Sequence, residues 1–212
     1  GCCAQPCRWK YSLVEEKRPG QYFPIEEDEN GTYILNAKDL CMIDHIKELA
    51  EAGVTSFKIE GRANSAYYVA VTTNAYHMAM EYYKKGLDTP KWVLDEVYKC
   101  SHREYSTGFF YGYNPPTQNY ETSGYERDYD VVGIIKECKD GRIFASQRNK
   151  FFNGDTVEIL VPEKEPVTLE VKGLMNEDGE LIETANHAMM NFSFECGETF
   201  PPESIIRCRV NN

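Results

Sequence analysis

The sequence contains no apolar run near the ~20 residues that a helix needs to cross a bilayer. Nor do its first residues set basic side chains ahead of an apolar stretch, as an export signal does. These absences predict a cytoplasmic protein with no membrane partner. Basic residues are the minority: 23 Lys and Arg face 34 Asp and Glu, a formal charge of −11. That balance argues against a protein that coats nucleic acid through a general positive surface, although it leaves room for a local basic site. Gly-x-Ser-x-Gly and His-Glu-x-x-His are both missing, which removes the nucleophile elbow of serine hydrolases and the zinc helix of metalloproteases. His45, His77, His102 and His187 share no ligand or triad spacing and receive no role.

What is present suits a globular protein. With 212 residues, 42% of them hydrophobic, the chain can build one large domain or two small ones. Its eight cysteines are unevenly placed: Cys2, Cys3 and Cys7 crowd the start, whereas Cys100, Cys138, Cys196 and Cys208 are scattered. Crowding favours metal chemistry and scatter favours ordinary buried thiols.

Residues 1–7 carry neither a helix cap nor strand alternation and read as a piece of a longer protein. Beyond an acidic stretch with Pro and Gly, residues 32–35 have the composition of a short buried strand. A helix is expected next, capped by Asp39, with Ile43, Ile46, Leu49 and Ala50 on one face and Gly53 at its end. The pattern repeats: residues 54–59 predict a strand, and Ser65 caps a helix reaching about Tyr83, with Ala66, Val69, Thr73, Tyr76, Met80 and Tyr83 inward. Consecutive β/α units imply parallel strands, which need more neighbours than this chain offers, so the sheet is expected to continue upstream. A third helix is predicted around residues 91–100. Residues 105–127, rich in Gly, Pro, Asn and Tyr, read as a linker. From residue 128 the chain turns to short strands at 131–135, 143–146, 156–161 and 167–171, punctuated by Asp140-Gly141, Asn153-Gly154 and Asp178-Gly179. The expected fold class is α/β plus all-β, the second part a small antiparallel β-barrel.

Three groups of residues carry chemical interest. Cys3-Ala4-Gln5-Pro6-Cys7 spaces two thiols so that a loop can wrap one soft metal centre, the alternative being two partly buried free thiols. Cys41 is a further candidate that equally suits a core. Lys58, Glu60 and Arg62 lie on and just after the predicted parallel strand, where a (β/α) barrel carries its catalytic groups; alternation sends Lys58 and Glu60 to one side. They form either an anion-handling site or a structural ion pair. Arg8, Trp9 and Lys10 combine cations with an aromatic face, as an RNA-binding surface does, or are a solvated basic loop.

The runs Gly-Cys-Cys-Ala-Gln-Pro-Cys-Arg-Trp-Lys-Tyr (1–11) and Arg-Pro-Gly-Gln-Tyr-Phe-Pro-Ile-Glu-Glu-Asp-Glu-Asn-Gly-Thr-Tyr-Ile-Leu-Asn-Ala-Lys-Asp-Leu (18–40) resemble the bacterial U-32, or collagenase-like, peptidase family. So do Phe-Lys-Ile-Glu-Gly-Arg (57–62) with Ser65 and Tyr67, and, in the β-part, Arg-Asn-Lys-Phe (148–151) with Asn-Gly-Asp (153–155). Within that family the sequence is most similar to the tRNA hydroxylation proteins. The resemblance implies the last units of a (β/α) TIM-like barrel at 1–104, a linker at 105–127 and a β-barrel domain at 128–212. It also implies hydroxylation of the wobble uridine of tRNA with an iron-sulfur cluster and prephenate as co-substrate. Cys3 and Cys7 match the family's cluster-binding segment, and two further ligands are implied upstream, together with the first half of the barrel. The isolated chain is accordingly expected to be inactive. Older usage in the same family implies a peptidase of unknown catalytic type as the alternative.

Overall fold

The computed structural model of the protein describes residues 26–28, 31–33, 38–112 and 125–210, which fall into two compact units.

Of the described residues, the first unit takes in 26–28, 31–33, 38–42, 102–112 and 125–126. In it β1 (Glu26–Asp28) and β2 (Gly31–Tyr33) form an antiparallel hairpin with Glu26 opposite Tyr33. The strand expected at 32–35 is therefore shifted and paired locally, with residues 34–35 outside the described ones. β3 (Asp39–Leu40) runs parallel to β4 (Tyr105–Ser106), Asp39 opposite Tyr105. Asp39 does not cap a helix: its carboxylate accepts from the Arg103 N–H (2.9 Å) and fastens this parallel pair.

The second unit, residues 43–101 and 127–212, begins with helices. Ile43 starts a 3-10 turn that leads into α1 (Ile46–Glu51), and Gly53 follows at φ +91°, a left-handed conformation that glycine adopts without steric cost. Residues 54–59 do not form the predicted strand. A parallel strand exists only through its ladder, and no strand among the described residues pairs with this segment. Its alternation survives in exposure: Phe57 and Ile59 are half-buried while Lys58 and Glu60 are exposed. Ser65 does cap α2 (Ala66–Lys84), accepting from the Tyr68 N–H at 3.1 Å. The buried face of α2 is Val71, Thr72, Ala75, Met78 and Ala79, not the stripe chosen from periodicity; Val69 and Thr73 are exposed. Both sides of this helix carry apolar residues, and packing by α1 and α3 (Lys91–Glu96), with buried Val93 and Val97, decides between them. A 3-10 turn, Val97–Lys99, completes the predicted third helix.

The strands of this unit form one antiparallel sheet of seven, in the order β10 (Met175–Asn176), β12 (Asn191–Glu195), β6 (Arg142–Gln147), β5 (Tyr129–Lys139), β13 (Ile205–Arg209), β8 (Thr156–Leu160), β9 (Val167–Glu170). A short hairpin of β7 (Phe151–Phe152) and β11 (Thr184–Ala185) accompanies it. The sheet curls around one core that includes Ile135, Ile143, Phe151, Ile159, Phe192, Phe194 and Ile206. The expected small antiparallel β-domain is thus present as a curled half-barrel, with β10 and β9 as its edges. The predicted turns hold, with Asp140 and Gly141 at φ 50° and 73° in the β5–β6 connection, the geometry of a type I′ hairpin. Alternation along β13, in unbroken register with β8, keeps Ile206 in the core while Arg207 reaches the helices on the opposite side; the register shift at this point lies in the pairing with β5, where Ile206 faces Gly133 and Arg207 faces Val131.

Candidate functional site

Lys58, Glu60 and Arg62 sit together on the segment that enters α2, all exposed. Glu60 accepts from the backbone N–H of Arg62 (2.9 Å), and Asn64 N–H closes the turn on the Gly61 carbonyl (3.0 Å). Gly61 is required by close approach: a Cβ there would lie 2.7 Å from Val69 Cγ2, so the turn rests directly on α2. Among the described residues neither Lys58 nor Arg62 makes an ion pair, and both cationic heads are open to an anion. Arg8, Trp9, Lys10, Cys3 and Cys7 lie outside the described residues.

The second constellation is buried and was not anticipated. Arg207 is fully buried, and all five of its N–H donors are engaged. Nη1 and Nη2 donate to the two oxygens of Glu96 (2.8 and 2.6 Å), a planar fork on a carboxylate that is 2% exposed. Nε and Nη2 also donate to Glu158 (2.9 and 2.6 Å), and Nη1 to the Tyr67 hydroxyl (3.2 Å). Tyr67 in turn donates to the Lys99 carbonyl (2.9 Å). Lys99 Nζ reaches Glu158 (3.0 Å) and Glu96 (3.2 Å), and Tyr129 donates to Glu158 (3.2 Å) beneath both cations. Two cations thus meet two carboxylates with no net charge. Burial alone would raise the Glu158 carboxyl, but Arg207 and the hydrogen bonds from Lys99 and Arg207 outweigh it and hold it below its ordinary value. Burial pushes the Tyr67 phenol up, and Arg207 is raised above its ordinary value because Glu96 outweighs the cost of burial. Nothing here has a free valence for substrate: the network ties α2 and α3 to β5, β8 and β13. Two signals marked it in the sequence, a single Arg inside the apolar Ile205-Ile206-Arg207-Cys208 run and Glu96 on the apolar face of its helix between Val93 and Val97.

A cleft of about 440 Å³ lies beside α1, lined by Ile46, Lys47, Tyr83, Leu87 and Leu94, with Asp44, Glu51 and Asp88 making it acidic and unsuited to a polyanion. Among the described residues no three His, Cys, Asp or Glu converge as a metal site. The thiols there have structural surroundings: Cys100 donates to the Val97 carbonyl (3.2 Å), Cys138 accepts from the Phe200 N–H (3.3 Å) and Cys208 donates to the Thr156 carbonyl (3.4 Å). No helix among the described residues is long and apolar enough to cross a membrane.

The chain is 30% identical to tRNA hydroxylation protein P1 of Bacillus subtilis over 98% of its length and 50% of that protein's. It is 35% identical to tRNA hydroxylation protein P of Escherichia coli over 82% of the chain and 39% of that protein. An uncharacterized protease of Methanocaldococcus jannaschii is 44% identical over 52% of the chain and 27% of that protein. The chain therefore spans about half the length, or less, of these relatives. The Peptidase family U32 profile matches residues 1–120, and that of the Peptidase family U32 C-terminal domain matches residues 127–207. Most of the chain is covered by these two matches, and it belongs to peptidase family U32.

Proposed function

We propose that the protein carrying this chain hydroxylates the wobble uridine of tRNA. The observation that carries this reading is the identity with tRNA hydroxylation proteins over nearly the whole chain, including its C-terminal sheet. In this reading residues 1–104 complete a (β/α) barrel with a further half, and residues 54–59 become a parallel strand, which has no partner among the described residues. Lys58 and Arg62 would then stand at the barrel mouth, with Glu60 shaping their turn. Two exposed cations with no carboxylate partner among the described residues suit an anion, whether the carboxylates of prephenate or an RNA phosphate. Cys3 and Cys7 would supply two thiolates to an iron-sulfur cluster, whose chemistry is electron transfer. Arg8, Trp9 and Lys10 beside them would meet RNA.

The deciding experiment is mass spectrometry of tRNA nucleosides from a strain lacking the protein, complemented with wild type or with Cys3→Ala. Loss of hydroxyuridine on deletion and its return only with wild type are expected. Unchanged hydroxyuridine on deletion, together with lost cleavage of a collagen substrate, would replace this reading with the peptidase one that the M. jannaschii relative's name suggests.

A further inference from the structure

The end of the sheet domain that carries the 148–150 and 186–190 loops is unlike the rest of this acidic protein. The two loops are neighbours by topology: Phe151 pairs with Ala185 on one side of them, and the Gln147 N–H donates to the Met190 carbonyl (2.9 Å) on the other. On them stand Arg148, Lys150, His187 and Met189, with Phe152 of β7 beside them, all exposed. A single exposed Phe would need no explanation. Here Phe152 is 46% exposed and Met189 62%, while Lys150 Nζ hangs 4.8 Å over the Phe152 ring. Among the described residues Arg148 uses only Nη1, toward Ser146 Oγ (2.6 Å), the Ser146 carbonyl (3.4 Å), the Gln147 carbonyl (2.9 Å) and the Met189 sulfur (3.2 Å), which leaves Nε and Nη2 for another partner.

Among the described residues neither Arg148 nor Lys150 has a carboxylate partner, in a chain of net charge −11. Two acidic residues flank this surface: the Asp155 carboxylate accepts from the Phe152 N–H (2.7 Å), and exposed Glu183, whose carbonyl accepts from the Asn153 N–H (3.0 Å), makes no ion pair with Arg148 or Lys150 among the described residues. The platform is also fixed rather than loose: Arg148 N–H donates to the Val132 carbonyl (2.9 Å) and Asn149 Nδ2 to the Val131 carbonyl (2.8 Å), which pins the loop to β5.

We infer that this end of the C-terminal sheet is a landing surface for an unpaired stretch of RNA, with Phe152 stacking on a base and Arg148 and Lys150 neutralising flanking phosphates. The inference rests on the tRNA reading above and adds to it a second contact, remote in sequence from residues 58–62. The chemistry is that of single-strand binding: every base offers a π-face to an aromatic platform, and the cations track the backbone. Lys150 already occupies the ring as a cation does, and its flexible stem lets the ammonium swing to a phosphate when a base arrives.

The test is titration of the intact protein with a fluorescent tRNA anticodon stem-loop, read by anisotropy, beside a fully paired RNA duplex. Phe152→Ala should weaken stem-loop binding by roughly 5- to 150-fold, the range of one base–aromatic stack, with duplex binding unchanged. Lys150→Gln should reduce the slope of log affinity against log salt by about 0.7, the value for one phosphate on a single strand. Both positions are exposed, so thermal unfolding should not move. Unchanged stem-loop binding by Phe152→Ala, equal loss on the duplex, or lost binding of a gelatin peptide with RNA binding intact would each overturn the inference. Because binding is read directly, unchanged binding in a variant that still hydroxylates tRNA overturns the surface alone. Hydroxyuridine that survives deletion of the protein overturns the hydroxylation reading alone.

Discussion

Replacing Arg207 with Met removes five donors from a site where Glu96 is 2% exposed and leaves Lys99 as the single cation facing two carboxylates. Breaking a buried ion pair by deleting one partner costs about 3–5 kcal/mol, because the remaining charge stays desolvated. At roughly 2–4 °C per kcal/mol for a chain of this size, Tm should fall by about 6–20 °C. The added change Glu96→Leu should recover most of that loss: it removes the stranded carboxylate and leaves Lys99 and Glu158, both partly exposed, paired with each other. Urea and thermal unfolding followed by circular dichroism on the four members of this cycle give the coupling directly. The pH profile adds a second check. The folded Glu158 carboxyl is held below its ordinary value, so its contribution is complete above the unfolded value of 4.5 and is lost as pH falls through the folded one. Arg207→Met should flatten that acid limb. A loss under about 1 kcal/mol in Arg207→Met, or no recovery in the double variant, would refute the reasoning, since a solvent-screened network behaves in that way.

In the intact protein Arg62→Lys should lower hydroxylation roughly 10- to 100-fold, the value of a hydrogen bond to a charged group, while Tm stays constant because Arg62 is exposed. Unchanged turnover with lowered Tm would remove it from the site. Gly61→Ala places a methyl 2.7 Å from the stiff Val69 side chain. The 58–62 turn must then shift, and turnover should fall far more than stability, which should change by about 1 kcal/mol; steady-state kinetics beside unfolding decide. On the proposed cluster reading, Cys3→Ala or Cys7→Ala in the intact protein should strip iron and visible absorbance, whereas Cys100→Ala and Cys208→Ala should keep both, and iron analysis showing equal loss in all four would reject the ligand set.

The sheet domain was the most legible part because its signals are local. Asp140-Gly141, Asn153-Gly154 and Asp178-Gly179 each mark a turn, with the glycines at positive φ. β12 and β13 escaped for different reasons: Asn191-Phe192-Ser193-Phe194-Glu195 alternates cleanly but is only five residues long, whereas Ile205-Ile206-Arg207-Cys208 puts two apolar residues ahead of a charge and shows no alternation. Residues 54–59 failed for the opposite reason: their pattern is that of a strand, but pairing is not a property of the segment. For α2 the cap at Ser65 was readable and the buried face was not, since Met80 and Met78 are equally apolar and only neighbouring helices choose between them. In the candidate site, proximity of Lys58, Glu60 and Arg62 follows from sequence adjacency. The freedom of their charges does not, because an ion pair and an open site share one composition.

The Glu96–Arg207 fork also bears on how such proteins recombine. Its two halves are 111 residues apart and fall on either side of the seam between the two family matches, which end at 120 and resume at 127. An exchange of C-terminal domains at that seam would look neutral by every surface criterion, yet it would bring a new residue to position 207 opposite an old one at 96. A charge at one position and an apolar group at the other leaves a buried ion without its bidentate partner and only Lys99 or Glu158 to balance it, so a graft should carry both positions together. Chimeras built at residues 121–126 should therefore keep their thermal stability when they match at both positions and lose roughly 3–5 kcal/mol when they match at one, which makes this pair a compatibility rule for grafting one domain onto another.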